Sequence, residues 1–219
     1  MTLHEPHHAG KANEQAKHLS LHALVLAAGR GSRFGGRKLQ AHYRNQPLLA
    51  YPLAVVAAAR ERGLIDRGHV VVPADDEASS ELVRSMKLEP VPNSAPDRGI
   101  SYSLQLGLAA LEDAGGPAAA LILLGDQPLV RLEVIEAIIS AWYAERGTII
   151  RPRYEASPNV PGHPVLIERS EWPLIRELKG DAGLASGGPR LAETLVDVTG
   201  INPDVDTLTD LQALGVLQR

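Results

Sequence analysis

The chain has 219 residues, a formal charge of −4 and no cysteine. A chain of this length buries roughly 70% of its unfolded surface, enough for one substantial domain. The missing thiols exclude disulfides, thiolate metal centres and a Cys nucleophile, and the slight acidity gives no global field for nucleic acid or membrane. Aromatic residues make up only 4% of the chain, with a single Phe, so the core must come from Leu, Val, Ile and Ala. That composition favours helices packed on a parallel sheet.

Residues 1–20 are polar, carry His4, His7, His8 and His18, and lack an apolar h-region. They predict a flexible His-containing leader rather than a secretory signal, and a cytoplasmic protein. No apolar run approaches the roughly 18 residues of a membrane span. From there short apolar runs alternate with longer helical patterns. Strands are predicted at His22–Ala27, His69–Pro73, Glu89–Pro92, Ala119–Leu124, Thr148–Arg151, Val165–Glu168 and Thr194–Val198. Helices are predicted at Leu48–Arg62, Glu77–Met86, Ser101–Glu112, Leu132–Glu145, Glu171–Leu178 and Leu208–Gly215. This alternation implies an α/β fold with a mostly parallel central sheet and helices on both faces. Such sheets bind ligands outside the carboxyl ends of their strands.

The first predicted strand ends in Leu26-Ala27-Ala28-Gly29-Arg30-Gly31-Ser32-Arg33-Phe34-Gly35-Gly36-Arg37-Lys38. Its glycines let N–H groups turn toward one point, and four cations share the loop, which suits a polyphosphate. It is not a P-loop: Gly31 and Gly36 have the spacing, but Arg37-Lys38-Leu39 follows, with no hydroxyl for magnesium. It is not a dinucleotide fingerprint either, because the spacing is Gly29-x-Gly31-x3-Gly35 and no acid lies between Pro47 and Ala59.

The apolar run Leu121–Leu124 ends in Gly125-Asp126-Gln127-Pro128. Asp126 should stand at the same sheet edge, where a carboxylate can hold Mg²⁺ against a triphosphate. Asp204, Asp206 and Asp210 lie within seven residues near the final helix. Thr207 and Asp210 resemble a capping box with Asp in place of Glu or Gln. Asp204 and Asp206 precede it on alternate positions, so an extended segment points both to one side. Ser101 reads as a helix N-cap. Around 152–163 Pro152, Pro158, Pro161 and Gly162 break the rhythm, which predicts a loop or small lobe over the ligand edge, within an insertion near 152–192.

The glycine loop resembles the signature L-x-(A/G)-G-x-x-x-R-x-G-x-x-K of the MobA-like nucleotidyltransferases, matched by Leu26, Ala28, Gly29, Arg33, Gly35 and Lys38. Arg98–Leu108 resembles their G-(M/I)-x-x-S-L-x-x-G-(L/I) segment, and Asp204–Leu211 their D-x-D-T-x-x-D-L tail. Pro161-Gly162-His163-Pro164-Val165 and Lys179-Gly180-Asp181-Ala182-Gly183 resemble elements of the branch that makes the cytidylyl form of molybdenum cofactor, whereas Ala185-Ser186-Gly187-Gly188 departs from it. The resemblance covers about residues 22–215. It implies a Rossmann-like, GT-A-type fold, a nucleoside triphosphate donor and Mg²⁺. It also implies nucleotide contacts from residues 26–33 and Lys38, with Ser101 and Ser103 near them. Arg33, Lys38 and Asp126 are then catalytic, Asp206 is the preferred second metal ligand beside Asp126, with Asp204 the alternative, and Gly162, His163 and Asp181 bind the acceptor. The branch implies CTP as donor, with the Ala28 methyl narrowing the base site, and molybdopterin as acceptor, with a molybdoenzyme or its chaperone downstream. Open alternatives are GTP, another acceptor such as a sugar phosphate, or a non-catalytic cofactor carrier.

Overall fold

The structure, a computed structural model, describes residues 19–145, 149–181 and 193–216. The leader histidines and the Ala182–Gly188 stretch lie outside these. The elements in chain order are β1 (Leu21–Leu26), β2 (His42–Tyr43), β3 (Gln46–Pro47), α1 (Ala50–Glu61), β4 (Arg67–Pro73), α2 (Glu77–Ser85) and β5 (Glu89–Asn93). They continue with α3 (Ile100–Asp113), β6 (Ala119–Leu124), α4 (Leu132–Glu145), β7 (Ile149–Tyr154), β8 (Val165–Glu168), α5 (Trp172–Ile175), β9 (Glu193–Val198) and α6 (Leu208–Val216). Seven strands form one sheet in the order β5-β4-β1-β6-β8-β7-β9.

Every residue of β1 is buried, as expected of a strand covered on both faces. Ala23 and Val25 pack toward Leu53 and Val56 of α1 and Ile135 and Ile138 of α4. Leu24 and Leu26 pack on the other face, toward Leu104 and Leu108 of α3 and Trp172 of α5. A Cβ on Gly107 would lie 2.4 Å from Leu24, so the glycine is what lets α3 approach β1 so closely. Parallel pairing joins β1 to β4 and β6, and β4 to β5. The chain runs from β1 to β4 and β5 on one side, then crosses to β6 on the other. β1 is therefore the switch point, and the crevice at its carboxyl end is where this architecture binds ligands.

Four predictions differ from the structure. The strand at Val165–Glu168 runs antiparallel to both β6 and β7, the one reversal in a mostly parallel sheet. β7 continues through Pro152 to Tyr154 rather than stopping at Arg151. Only Ile149 and Ile150 pair with β8, so Pro152 lies where its missing N–H interrupts no β8 ladder, while it still aligns with Val196 of β9. The predicted helix Glu171–Leu178 shortens to α5, because the N–H groups of Glu177 and Leu178 reach back three residues instead of four. Ser101 is not an N-cap. Gly99, at φ +87°, fills that position, and Ser101 is buried as the second residue of the helix with its N–H on the Gly180 carbonyl. The β2–β3 hairpin was not predicted; Arg44 and Asn45 both take positive φ, as a tight primed turn requires.

At the opposite end of the sheet, His22 and His69 stack with ring centroids 5.6 Å apart. Both are buried, and His22 Nδ1 and His69 Nε2 have no hydrogen-bond partner among the described residues. Burial lowers the pKa of each. His69 and Arg67 add to the effect on His22, while Asp66 and Glu89 oppose it. For His69, Glu89 opposes burial and Arg67 reinforces it. The unfolded chain therefore takes up these protons first, near pH 6.5. Stability should be full above that pH and be lost as pH falls through it toward the folded-state values. Melting curves between pH 8 and 5.5 check this: the parent should lose melting temperature below about pH 6.5 more steeply than a His22→Phe/His69→Phe variant.

Candidate active site

Four loops meet at the carboxyl ends of β1, β4, β5 and β6. The loop after β1 winds through Gly31 (φ +59°), a 3₁₀ turn at Ser32–Phe34, and Gly35, Gly36 and Arg37, all at positive φ. Phe34 and Gly36 N–H groups both return to the Gly31 carbonyl. The N–H groups of Gly29, Arg30 and Gly31 have no backbone partner among the described residues. Arg30, Arg33 and Arg37 are exposed, whereas Lys38 is only 9% exposed. A Cβ on Gly31 would stand 2.8 Å from the Lys38 Cβ, so the glycine lets the loop close over the lysine stem.

Lys38 Nζ donates to Asp126 Oδ2 at 2.6 Å and to Asp206 Oδ1 at 3.2 Å. Arg33 reaches the second oxygen of Asp206 at 3.3 Å. Burial works against the Lys38 charge, but Asp126 and then Asp206 outweigh it and hold the ammonium above the usual lysine range. The two acids selected from sequence, 80 residues apart in numbering, thus face one cation. Asp204 instead accepts from Gln127 Nε2 at 2.7 Å. Desolvation, then the Asp126 charge, keeps Asp204 above the usual carboxylate range, with Gln127 opposing.

The segment carrying Asp206 is fixed from both sides. Val205, fully buried beside Leu48 and Leu214, donates its N–H to the Asp126 carbonyl at 3.1 Å. Asn202 Nδ2 donates to Gln127 Oε1 at 3.0 Å. On the other flank the capping box is present: Asp210 accepts from the Thr207 N–H at 2.7 Å, and the Asp210 N–H returns to Thr207 Oγ1 at 3.2 Å. The Asp206 N–H also donates to Asp210 at 3.0 Å. These bonds, led by those from Thr207, depress the Asp210 pKa.

Two carboxylates aimed at one cationic atom form a hard-oxygen donor set that suits Mg²⁺ or Mn²⁺, so the residues fit a divalent ion. Among the described residues no three His, Cys, Asp or Glu side chains converge to hold a metal by themselves. An ion on this pair would complete its shell with water and phosphate oxygens, as Mg²⁺ commonly does.

Beside this cluster a cleft of about 780 Å³ is lined by Ala27, Gly29, Arg30, Arg37 and Lys38 on one side and by Asp75, Asp76, Glu77, Asn93 and Ser94 on the other. Sequence reasoning missed the second wall. The signal was present: Asp75 and Asp76 follow the run Val70–Pro73 as Asp126 follows Leu121–Leu124. Asp76 is occupied, capping α2 through Ser79 and accepting from Gln40. Asn93 is fully buried and donates to Ser103 Oγ at 3.0 Å. Ser103 therefore braces a cleft residue, and neither serine is among those lining the cleft. Ala28 also departs from expectation. Its side chain sits in the core with Leu26, Val71 and Leu104, and it is Ala27, not Ala28, that is among the residues lining the cleft.

The three residues expected on the acceptor side, Gly162, His163 and Asp181, come from two other loops. Gly162 donates to the Pro152 carbonyl, and its own carbonyl accepts from buried Arg151. Tyr154 donates to the His163 carbonyl at 2.8 Å, and burial pushes its phenol up to about 12. Burial, with Arg151 second, holds His163 down to about 3, so its ring is neutral at pH 7 and offers a hydrogen bond instead of a charge. Asp181 lies against the start of α3, where a Cβ on Gly99 would be 2.8 Å from its Oδ1.

Residues 23–196 match the profile of the MobA-like NTP transferase domain. The chain belongs to this family. Like other MobA-like transferases it is a nucleotidyltransferase with a Rossmann-like sheet. It is 32% identical over 126 residues to 2-C-methyl-D-erythritol 4-phosphate cytidylyltransferase of Psychrobacter cryohalolentis, covering 56% of this chain and 43% of that one. It is 30% identical over 131 residues to a probable molybdenum cofactor guanylyltransferase of Thermococcus gammatolerans, covering 60% and 61%. The matched region is thus less than two thirds of the length of either relative. Rv0371c of Mycobacterium tuberculosis H37Rv superposes with a TM-score of 0.71 at 29% identity, covering 90% of this chain and 97% of that one. A manganese complex of Rv0371c gives 0.71 at 26% identity, covering 89% and 97%.

Gly31→Ala should disrupt this MobA-like loop without unfolding the sheet, because the new Cβ meets Lys38 and the residue needs positive φ. Nucleotidyl transfer should fall at least about tenfold, roughly 1.4 kcal/mol in the barrier, with the far-UV circular dichroism unchanged. Paired initial-rate and spectral measurements check it.

Proposed function

We propose that the chain transfers CMP from CTP to the terminal phosphate of molybdopterin, with Mg²⁺ and release of pyrophosphate. The observation that carries the transfer chemistry is the Lys38–Asp126–Asp206 cluster, whose Lys38 lines the cationic side of the cleft. Free N–H groups and Arg30, Arg37 and Lys38 suit the triphosphate, while the Asp75 wall repels phosphate and accepts from sugar hydroxyls or an exocyclic amine. That polarity orients the nucleotide with its α-phosphate toward Asp126 and Asp206.

In this reading Gly29, Gly31 and Ser32 N–H groups hold the β- and γ-phosphates. Arg33 and Lys38 neutralise charge on the leaving pyrophosphate. Asp126 and Asp206 would hold Mg²⁺, which when bound withdraws charge from the phosphate oxygens. An acceptor phosphate oxygen forms the new bond to the α-phosphorus, and the bond to the β-phosphate oxygen breaks with its electron pair leaving on pyrophosphate. The nucleophile is already anionic, so no strong general base is required, and the protein supplies positioning and electrostatics. Gly162, the neutral ring of His163 and Asp181 belong to the acceptor side, within an insertion of the single transferase domain. Among the described residues no helix is long and apolar enough to cross a membrane.

The base choice rests on the cytidylyltransferase relative and on the Gly-His-Pro-Val element, no longer on the Ala28 methyl. A second reading, GTP as donor, is favoured by the guanylyltransferase relative. CTP should be preferred by about tenfold or more, roughly 1.4 kcal/mol. Pyrophosphate release with each triphosphate, Mg²⁺ and molybdopterin measures it. Equal or greater turnover with GTP would transfer the proposal to the second reading. Turnover only with 2-C-methyl-D-erythritol 4-phosphate would replace the acceptor.

A further inference from the structure

Lys38 presents a distinct problem. The same ammonium is asked to serve the triphosphate, yet it already has both carboxylates of the metal pair as partners. The contact is specific: Asp126 at 2.6 Å and Asp206 at 3.2 Å, with the lysine side chain only 10% exposed. Gly31 packs on its stem. Asp206 is held in place by Val205 and Asp210, and Asp126 sits at the end of a buried strand. The carboxylates are therefore preset, while the lysine's flexible tip is the movable part.

We propose that Lys38 is an internal counter-ion that competes with the divalent metal for Asp126 and Asp206. The inference rests on the reading of these two acids as the metal pair. A hard cation and an ammonium want the same oxygens, and two cations at one point repel. The metal consequently binds the free protein weakly. It enters with the triphosphate, whose oxygens give the displaced ammonium a new anionic partner. Lys38 thereby makes metal loading conditional on nucleotide and keeps the two carboxylates from repelling one another while the cleft is empty. Arg33 contributes less, because it is 79% exposed and touches Asp206 alone.

The test uses Mn²⁺ alone, with no nucleotide, on the full chain. Mn²⁺ affinity is measured by calorimetry or by loss of the free-ion paramagnetic signal, and melting temperature is followed as Mn²⁺ rises. Lys38→Met should bind Mn²⁺ at least fivefold tighter than the parent. It should melt lower than the parent without metal and recover more on adding it, because the ion takes the place of the ammonium. Lys38→Gln, which keeps a polar tip, should behave the same way and guards against a folding defect in the first variant. Adding Asp126→Asn to either should abolish the gain. If both Lys38 variants bind Mn²⁺ no tighter than the parent, yet binding still requires Asp126, the counter-ion inference is overturned and the metal pair stands. If Mn²⁺ binding is indifferent to Asp126→Asn and Asp206→Asn in every background, the metal pair itself is wrong and the inference falls with it.

Discussion

The contact of one ammonium with two carboxylates joins three parts of the chain that lie far apart in sequence. Lys38 follows β1, Asp126 follows β6, and Asp206 lies beyond β9. Neighbouring parallel strands bring the first two together, since β1 and β6 are in direct register up to Leu26 and Leu124. The third is brought in by the Val205 N–H bond to the Asp126 carbonyl and by the buried Val205 side chain. Without this neutralising contact the two acids would face each other across a partly desolvated gap, which is unfavourable for like charges.

The cleft beside that cluster has a charge gradient along its length. Cations and N–H groups with no backbone partner among the described residues mark the end nearest β1, and acids the end beyond β4. A nucleoside triphosphate has the matching polarity, anionic at one end and neutral with hydroxyls and base at the other. Enzyme class and fold follow from the family match and the sheet order. The identity of base and acceptor depends on contacts that relatives with different substrates vary, which is why two similar proteins can bear the names of a cytidylyl- and a guanylyltransferase.

Much of the frame was legible because continuous apolar runs and helical periods state burial directly. Leu132–Glu145 coincides with α4, and the glycine loop and Asp126 stand at the expected edge. The Thr207–Asp210 box was legible because capping chemistry is local. What failed depends on contacts distant in sequence. Ser101 looks like a cap until the Gly180 carbonyl takes its N–H. Ala28 looks like a cleft residue until Val71 and Leu104 take its side chain into the core. Pro152 looks like a strand breaker until the short pairing with β8 makes its missing donor irrelevant. The Asp75–Glu77 wall carries no periodic signal; its acids follow an apolar run as Asp126 does, but it is β4 and β5 that set them across from the glycine loop.

The bond between Val205 and Asp126 also bears on synthesis. All nine strands, including β9 ending at Val198, are complete among the described residues before Asp206 is reached. A nascent chain can therefore pair its whole sheet while the carboxyl edge of that sheet still lacks Asp206. Lys38 then has only Asp126 as a partner. Vectorial synthesis thus separates scaffold from site: the sheet can form first, and the segment threaded across its edge afterwards completes the Lys38–Asp126–Asp206 cluster.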